Sequence, residues 1–408
     1  MVVAVDFLSA RSPPRVTAGL RRSRQRAHCR GKRACALAAS SALPATARRL
    51  EARRPGGGFG EVAKVVDFAP RAPGTAEVAV RVRFAGINGG CETFRARAEH
   101  WFERNRALEG FALGAEGSGE VVAVGEGVEG LAVGDAVAFV GGAFAEFTTV
   151  PAVLCQRVDS PSAEAAALII SGTTAAVSVG ETGGAAPGEK VLVTAAAGGA
   201  GHLALQLAAM KGCDVVATCG GAEKAALVSR LATQAASRGT AAGNCAASMA
   251  AETVVIDHTQ EDICEAIARE GPYDLAVEHV GGRILDAAMD SLSGDASRLL
   301  IVGYISEYPH NGIAAPHLHG DLAERLFWGQ QSETLASGAT VRGNVWPEDR
   351  ALVRAARDHV FELHREGLLE VVTAGADDFV GLDRVPAAVE EMLSGRTLGK
   401  VVATIAPC

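Results

Sequence analysis

The 408-residue sequence predicts a two-domain α/β protein, a compact β-barrel-like unit joined to a doubly wound parallel α/β unit. Three observations predict it. Between Glu61 and Pro151 short alternating strands are separated by glycine turns, the texture of a small barrel. From about residue 163 the texture changes to short apolar strands alternating with helical stretches. Within that second half an apolar strand at 191–194 runs through a glycine-rich turn into a helix, the opening of a βαβ unit.

The elements follow in chain order. Residues 1–50 carry ten Arg and one Lys against a single acid, Asp6, which leaves 28 bases and 46 acids for the rest. An Arg-rich, Ser-containing, acid-poor leader reads as an organellar transit peptide, for the chloroplast with the mitochondrion as the alternative. The other reading is a basic arm that stays on the protein. The body is too acidic to suit a phosphate backbone, which argues against nucleic acid. No run reaches the roughly 18–20 apolar residues of a membrane span. The nine cysteines contain no C-x-x-C pair and read as reduced thiols.

Val78 to Phe84 alternates at period two, as a half-buried strand should. Glu120 to Val124 and Ala136 to Phe139 are further strands, each beside a glycine turn. Ala163 to Ser178 reads as helix, and Pro187-Gly188 ends that stretch. Strands follow at Val191 to Thr194, Val215 to Thr218, Thr253 to Asp257, Asp274 to Val277 and Leu299 to Gly303. In the helix from Leu203 to Met210 the apolar positions 203, 207 and 210 share a face. Residues 232–250 are nearly all Ala, Ser, Thr and Gly and lack an apolar stripe, which predicts a flexible surface insertion.

The turn Ala197-Gly198-Gly199-Ala200-Gly201 directly follows a strand and opens a helix. Glycine there lets backbone approach a pyrophosphate, and the helix N-terminus supplies free N–H donors. Sites for NAD usually place Asp or Glu about twenty residues on, against the ribose 2′-hydroxyl. Here Thr218-Cys219-Gly220-Gly221 carries no carboxylate, and Lys224 lies within reach of a 2′-phosphate, so the cofactor predicted is NADPH.

With these segments in place the chain resembles the medium-chain dehydrogenase/reductase superfamily, from roughly residue 60 to the C-terminus. The matching segments are Ala85-Gly86-Ile87-Asn88, Leu113 to Gly119, Val133 to Val137, Ser171 to Ala175, Val193 to Gly199 and Gly399 to Val402. The resemblance implies a GroES-like domain at 51–175, completed by 341–408, and a Rossmann domain at 176–340. Cofactor contacts are implied at Thr174, Ala197, Gly198, Gly199, Gly201, Gly220, Lys224, His258, Gly303, Tyr304 and Thr397. Homodimers are common in the family.

Zinc-using members carry Cys where this chain has Asn88, and Gly-His-Glu where it has Gly114-Ala115-Glu116. A catalytic zinc needs three protein ligands, so the expectation is a metal-free site. Cys91 and His100 form a pair without a third partner. Without a Lewis acid the easier reaction is hydride delivery to the β-carbon of an enone, where conjugation carries charge to oxygen. The resemblance narrows accordingly to zinc-free quinone oxidoreductases and prostaglandin or alkenal reductases. Ile301 to Tyr308 is similar to the Gly-x-Ile-Ser-x-Tyr signature of the latter, which implies Tyr308 as the group near the nicotinamide ribose and substrate oxygen. Asn88 and Cys91 border the implied substrate pocket; Asn88-Gly89-Gly90-Cys91-Glu92 departs from the family's Asn-x-Ser-Asp. His279 and Thr397 stand where the family has Asn.

The function expected is therefore NADPH-dependent reduction of α,β-unsaturated ketones and aldehydes, small molecules with oxo-lipids among them. Quinone reduction on the same scaffold is the nearest alternative. A protein that binds NADPH without catalysis is the alternative of another class, kept open by the altered 88–92 segment.

Overall fold

The computed structural model describes residues 43–52, 59–89, 111–241, 252–307, 322, 326, 331–343 and 346–406. Strand β1 (Ala47–Ala52) is the centre of a small sheet, between β2 (Ala63–Phe68) and β4 (Phe111–Ala112). Its Leu50 is fully buried, its Arg49 lies over the Phe68 ring, and Arg48 pairs with Glu146. The expected leader boundary at residue 50 therefore falls inside a folded strand. Two of the arginines that gave the leader its charge are structural ones; residues 1–42 lie outside the described residues.

The barrel-like sheet is built on β3 (Glu77–Gly86), which pairs antiparallel with β5 (Glu116–Val124) and β7 (Phe147–Pro151). Beyond β5 lie β6 (Ala136–Val140) and β8 (Cys155–Val158). The C-terminal strand Lys400–Thr404 returns to the other side of β3, with Val402 opposite Gly86. Chain segments more than 300 residues apart thus share one core, in which Val80, Phe139, Phe144 and Val401 are buried.

The second sheet takes β9 (Lys190–Val193), β10 (Asp214–Cys219), β11 (Thr253–Asp257), β12 (Leu275–Glu278) and β13 (Arg298–Ile301). All pair parallel, in the order β11-β10-β9-β12-β13, followed by Thr340–Arg342 and, antiparallel at the edge, Ser332–Thr334. The order reverses between β9 and β12, and ligands of such sheets bind at that crevice, outside the carboxyl ends of the strands.

Two segments depart from expectation. The predicted helix 163–178 contains a π-helical stretch at Leu168–Gly172 between α-helical Ala163–Ala167 and Thr173–Val179. The flexible insertion expected at 232–250 is helical over its first ten residues, as the end of helix Ala222–Ala241. Ala232 and Ala235 are fully buried, and a Cβ at Gly239 would come within 2.2 Å of the Met210 carbonyl oxygen. The small side chains serve close approach of two helices, a packing role that an apolar-stripe criterion misses. Residues 242–250 lie outside the described residues.

Cys155, Cys213 and Cys219 are buried free thiols, and Cys264 is half-buried. Burial pushes the Cys155 and Cys213 thiols up to about 12 and that of Cys219 up to about 11.

Candidate active site

The turn after β9 is built on a residue in an uncommon conformation. Ala195 has φ +47°, held by its N–H to Thr218 Oγ1 (3.2 Å) and by Ala196 N–H to the Thr218 carbonyl (2.8 Å). Gly201 opens helix Gly201–Met210 so close to Ala195 that a Cβ would lie 2.3 Å from its carbonyl oxygen. Among the described residues the N–H groups of Gly199 and Ala200 take no backbone partner. A glycine turn with free donors at a helix start, at the crevice of a doubly wound sheet, fits the pyrophosphate of a nicotinamide dinucleotide.

The turn is braced from behind. His202 is fully buried; its Nδ1 bonds the Gly198 carbonyl (2.7 Å), and its Nε2 accepts from Val372 N (3.1 Å). That pairing assigns the neutral Nδ1–H tautomer, and burial lowers its pKa to about 4. Gly399 N–H donates to the Ala197 carbonyl (2.8 Å), so the C-terminal segment is bonded to the turn itself.

At the end of β10, Gly220 leaves room for the exposed His258 ring, which a Cβ there would meet at 2.4 Å. Gly221 (φ +95°) donates to Asp257 Oδ1 (2.7 Å), and this bond is the largest influence holding the Asp257 carboxyl below its ordinary range. Lys224 bonds the Gly395 carbonyl, and burial lowers its pKa. Reading along one strand missed the Asp257 carboxylate, which comes from the neighbouring β11.

Beyond β12, buried Glu278 accepts from Thr194 Oγ1 (3.1 Å), Val280 N (2.8 Å) and Gly281 N (2.9 Å). Burial pushes its pKa up to about 7 against those bonds, with a small addition from Glu307. His279 follows at the crevice; its backbone N–H meets Thr194 Oγ1, while its buried Nδ1 finds no hydrogen-bond partner among the described residues. Gly303 packs on the His279 carbonyl, and Tyr304 is buried against Gly281 within the apolar layer under the sheet.

Beside the glycine turn lies a cluster that sequence reading did not assemble. Lys400 and Glu116, 3% and 0% exposed, form an ion pair. Lys400 Nζ also donates to Asn88 Oδ1 (2.7 Å) and Ser171 Oγ (3.0 Å), and Asn88 Nδ2 donates to Glu116 Oε1 (2.8 Å). Glu116 Oε2 accepts from Ile170 N (3.0 Å) and more distantly from Ser171 N (3.4 Å), both in the π-helical stretch. Such stretches are frequent at functional sites, and here two backbone N–H groups of the stretch bond Glu116. The four residues lay inside recognised segments, yet only Asn88 stood out as a site residue, because the others resemble ordinary strand and helix positions.

The structure thus brings Ala197, Gly198, Gly199 and Gly201 together with Gly399 and Lys400, and Thr397 lies two residues before that contact. Thr174 is buried at the start of helix Thr173–Val179. Tyr308 and Cys91, expected at the substrate, lie outside the described residues, as does His100. Among the described residues no three His, Cys, Asp or Glu side chains are grouped to hold a metal ion. Nor is any described helix long and apolar enough to cross a membrane.

Comparison with known proteins agrees with this architecture. The family described as alcohol dehydrogenase GroES-like domain matches residues 74–160, and that described as zinc-binding dehydrogenase matches 249–402. Prostaglandin reductase-3 of Bos taurus is 33% identical over 377 residues, covering 90% of this chain and 92% of the relative. A probable quinone oxidoreductase of Leishmania amazonensis is 30% identical over 332 residues, 80% of this chain and 88% of the relative. Among solved structures, the quinone oxidoreductase of Pseudomonas syringae pv. Tomato DC3000 superposes with TM-score 0.65 at 27% identity, covering 88% of this chain and 99% of that one. The Escherichia coli quinone oxidoreductase complexed with NADPH gives 0.66 at 23% identity, with coverage of 88% and 99%. The chain belongs to the medium-chain dehydrogenase/reductase superfamily, in its quinone oxidoreductase and prostaglandin reductase-3 branch. It is an oxidoreductase of that type.

Proposed function

We propose that this chain reduces the carbon–carbon double bond of α,β-unsaturated ketones and aldehydes, oxo-lipids among them, using NADPH and no metal. The observation that carries the reading is the Lys400 cluster. Where zinc-using members of the superfamily place Cys and His, this chain has the Asn88 amide and the Ala115 methyl, and a buried ammonium stands beside the amide. What such a site offers a substrate oxygen is hydrogen-bond donation, which suits the charge that develops on an enolate.

Bound NADPH supplies the hydride. The β-carbon receives it, the double-bond electrons move through the α-carbon to the carbonyl oxygen, and a solvent proton ends on the α-carbon. Tyr308 is given the task of bonding that oxygen or orienting the ribose hydroxyl that does so. Asn88 and Cys91 border the substrate. Preference for NADPH rests on Lys224 and on a β10 end without its own carboxylate; the likeness to an enzyme solved with NADPH supports it. The segment before β1 is read as a presequence, chloroplast first and mitochondrion second, which imaging of a leader fusion checks.

Quinone reduction is the second reading, favoured by the likeness to the P. syringae enzyme. The test is loss of reduced-nicotinamide absorbance by the chain lacking residues 1–42, with an enone, a quinone and no acceptor in parallel. Fast oxidation with the enone, and little with NADH, supports the proposal. Oxidation with the quinone alone moves the reaction to that substrate. Tight NADPH binding with no oxidation leaves a binding protein.

A further inference from the structure

Counting donors and acceptors in the buried cluster leaves two donors over. The Lys400 ammonium has three N–H groups and no acceptor capacity, and all three are committed, to Glu116 Oε1, Asn88 Oδ1 and Ser171 Oγ. The Asn88 amide has one orientation in this setting, since the flipped form would set its NH2 against the ammonium and its oxygen against the Glu116 carboxylate. With that orientation fixed, one Asn88 N–H goes to Glu116 and the second is uncommitted among the described residues. Ser171 is in the same position. Its oxygen already accepts from an ammonium that can only donate, so its O–H must donate elsewhere.

The cost of burying this pair gives the arrangement its interest. Ion pairs taken out of water are weak devices for stability, and well-packed apolar residues of the same volume often do as well. This one joins the end of β3, the start of β5, the π-helical stretch and the C-terminal strand. Its lysine also packs against the dinucleotide turn: a Cβ on Gly199 would lie 2.9 Å from Lys400 Cδ, while neighbouring Gly399 bonds Ala197. The two spare donors are therefore held by one ammonium whose stem touches the turn expected to carry the cofactor.

We propose that Lys400 and Glu116 are positioning residues for an oxyanion site, in which the spare Asn88 N–H and the Ser171 O–H donate to the oxygen that gains charge when the β-carbon accepts hydride. This assignment rests on the enone-reductase reading for its substrate. It gives the pair a task that stability alone does not explain, and it makes two hydrogen bonds available to that oxygen.

The test uses the chain saturated with NADP+ and para-nitrophenolate as a non-reducible oxyanion, its binding read from the shift of its absorbance. The variants are E116Q/K400M, N88A and their triple combination, with N88A/S171A, which leaves the ion pair in place, as the variant least exposed to misfolding. Each is checked for NADP+ affinity and thermal unfolding. Wild type is expected to bind the phenolate about tenfold or more tightly than E116Q/K400M or N88A. The triple variant should lose little more than either, as residues acting as one unit do. NADP+ affinity should stay within about threefold, and enone kcat should fall with KM little changed. Wild-type affinity retained in E116Q/K400M or in N88A/S171A, additive losses in the triple, or no phenolate affinity in wild type would each overturn the inference. Absence of wild-type turnover counts against the enone reading, while the phenolate titration still decides this one.

Discussion

Two adjoining parts of the molecule, the glycine turn and the Lys400 cluster, are walls made by opposite means. The backbone wall is a turn of Ala and Gly from 195 to 201, which presents carbonyls, N–H groups and missing side chains and is braced by the Thr218 hydroxyl and the His202 ring. The side-chain wall is the Lys400 cluster: Asn88, Glu116, Ser171 and Lys400 come from four separate segments and meet in one charged, desolvated cluster. A backbone wall is local in sequence and tolerates variation nearby as long as the glycines stay. A side-chain wall forms only after the whole chain has folded, and losing one member strands the others.

The sharpest way to break that contrast is Lys400→Met alone, which leaves the Glu116 carboxylate buried without a counter-charge. The expected loss is about 3–5 kcal/mol in unfolding free energy. E116Q/K400M should lose much less; equal losses measured by denaturant unfolding would mean the charges play no part. Glu278 makes the next test, because it puts a side-chain charge problem on the backbone wall. Its folded pKa, about 7, lies above its ordinary 4.5, so the native state holds a proton that the unfolded chain has released between those values. That stabilisation is fully present below about pH 4.5 and fades as pH rises to about 7, by on the order of 3 kcal/mol in total. Glu278→Gln should flatten unfolding free energy across that window, and an unchanged slope would assign it to another group. Gly201→Ala probes the backbone wall directly, since its Cβ has no room beside Ala195. About 1–3 kcal/mol is expected, read as weaker NADPH binding in calorimetry with the phenolate response of the Lys400 cluster retained. Smallest is Lys224→Ala, for which NADPH affinity should fall about tenfold and NADH affinity stay put. Equal affinities before and after would leave Lys224 as a brace on the Gly395 carbonyl.

The same division explains what could be read in advance. Alternation in β3 and the strand, turn and helix at 190–210 are short-range patterns, and both sheets follow from them. The glycine turn was legible for the same reason. The ion pair was not, because a lysine in Gly399-Lys400-Val401 and a glutamate in Gly114-Ala115-Glu116 give no hint that they meet across 284 positions. Asp257 escaped likewise, reaching Gly221 from the adjoining strand. The end of helix Ala222–Ala241 departs from expectation for a different reason: alanine and glycine carry no apolar stripe, yet they allow the closest packing. The boundary expected at residue 50 runs into β1 because charge alone does not distinguish Arg48 and Arg49, whose strand pairing and ring contact are long-range.

An enzyme that handles electrophilic alkenes lives among reagents that alkylate thiolates by conjugate addition, its own included. The thiols of Cys155 and Cys213, raised to about 12, present on the order of one thiolate in a hundred thousand molecules at neutral pH. Their sulfurs are closed off besides, with Cys213 Sγ bonded to the Ala186 carbonyl. Under the proposed enone reduction, burial that looks like ordinary core packing would also give chemical resistance to the substrate, with half-buried Cys264 the described thiol most open to attack.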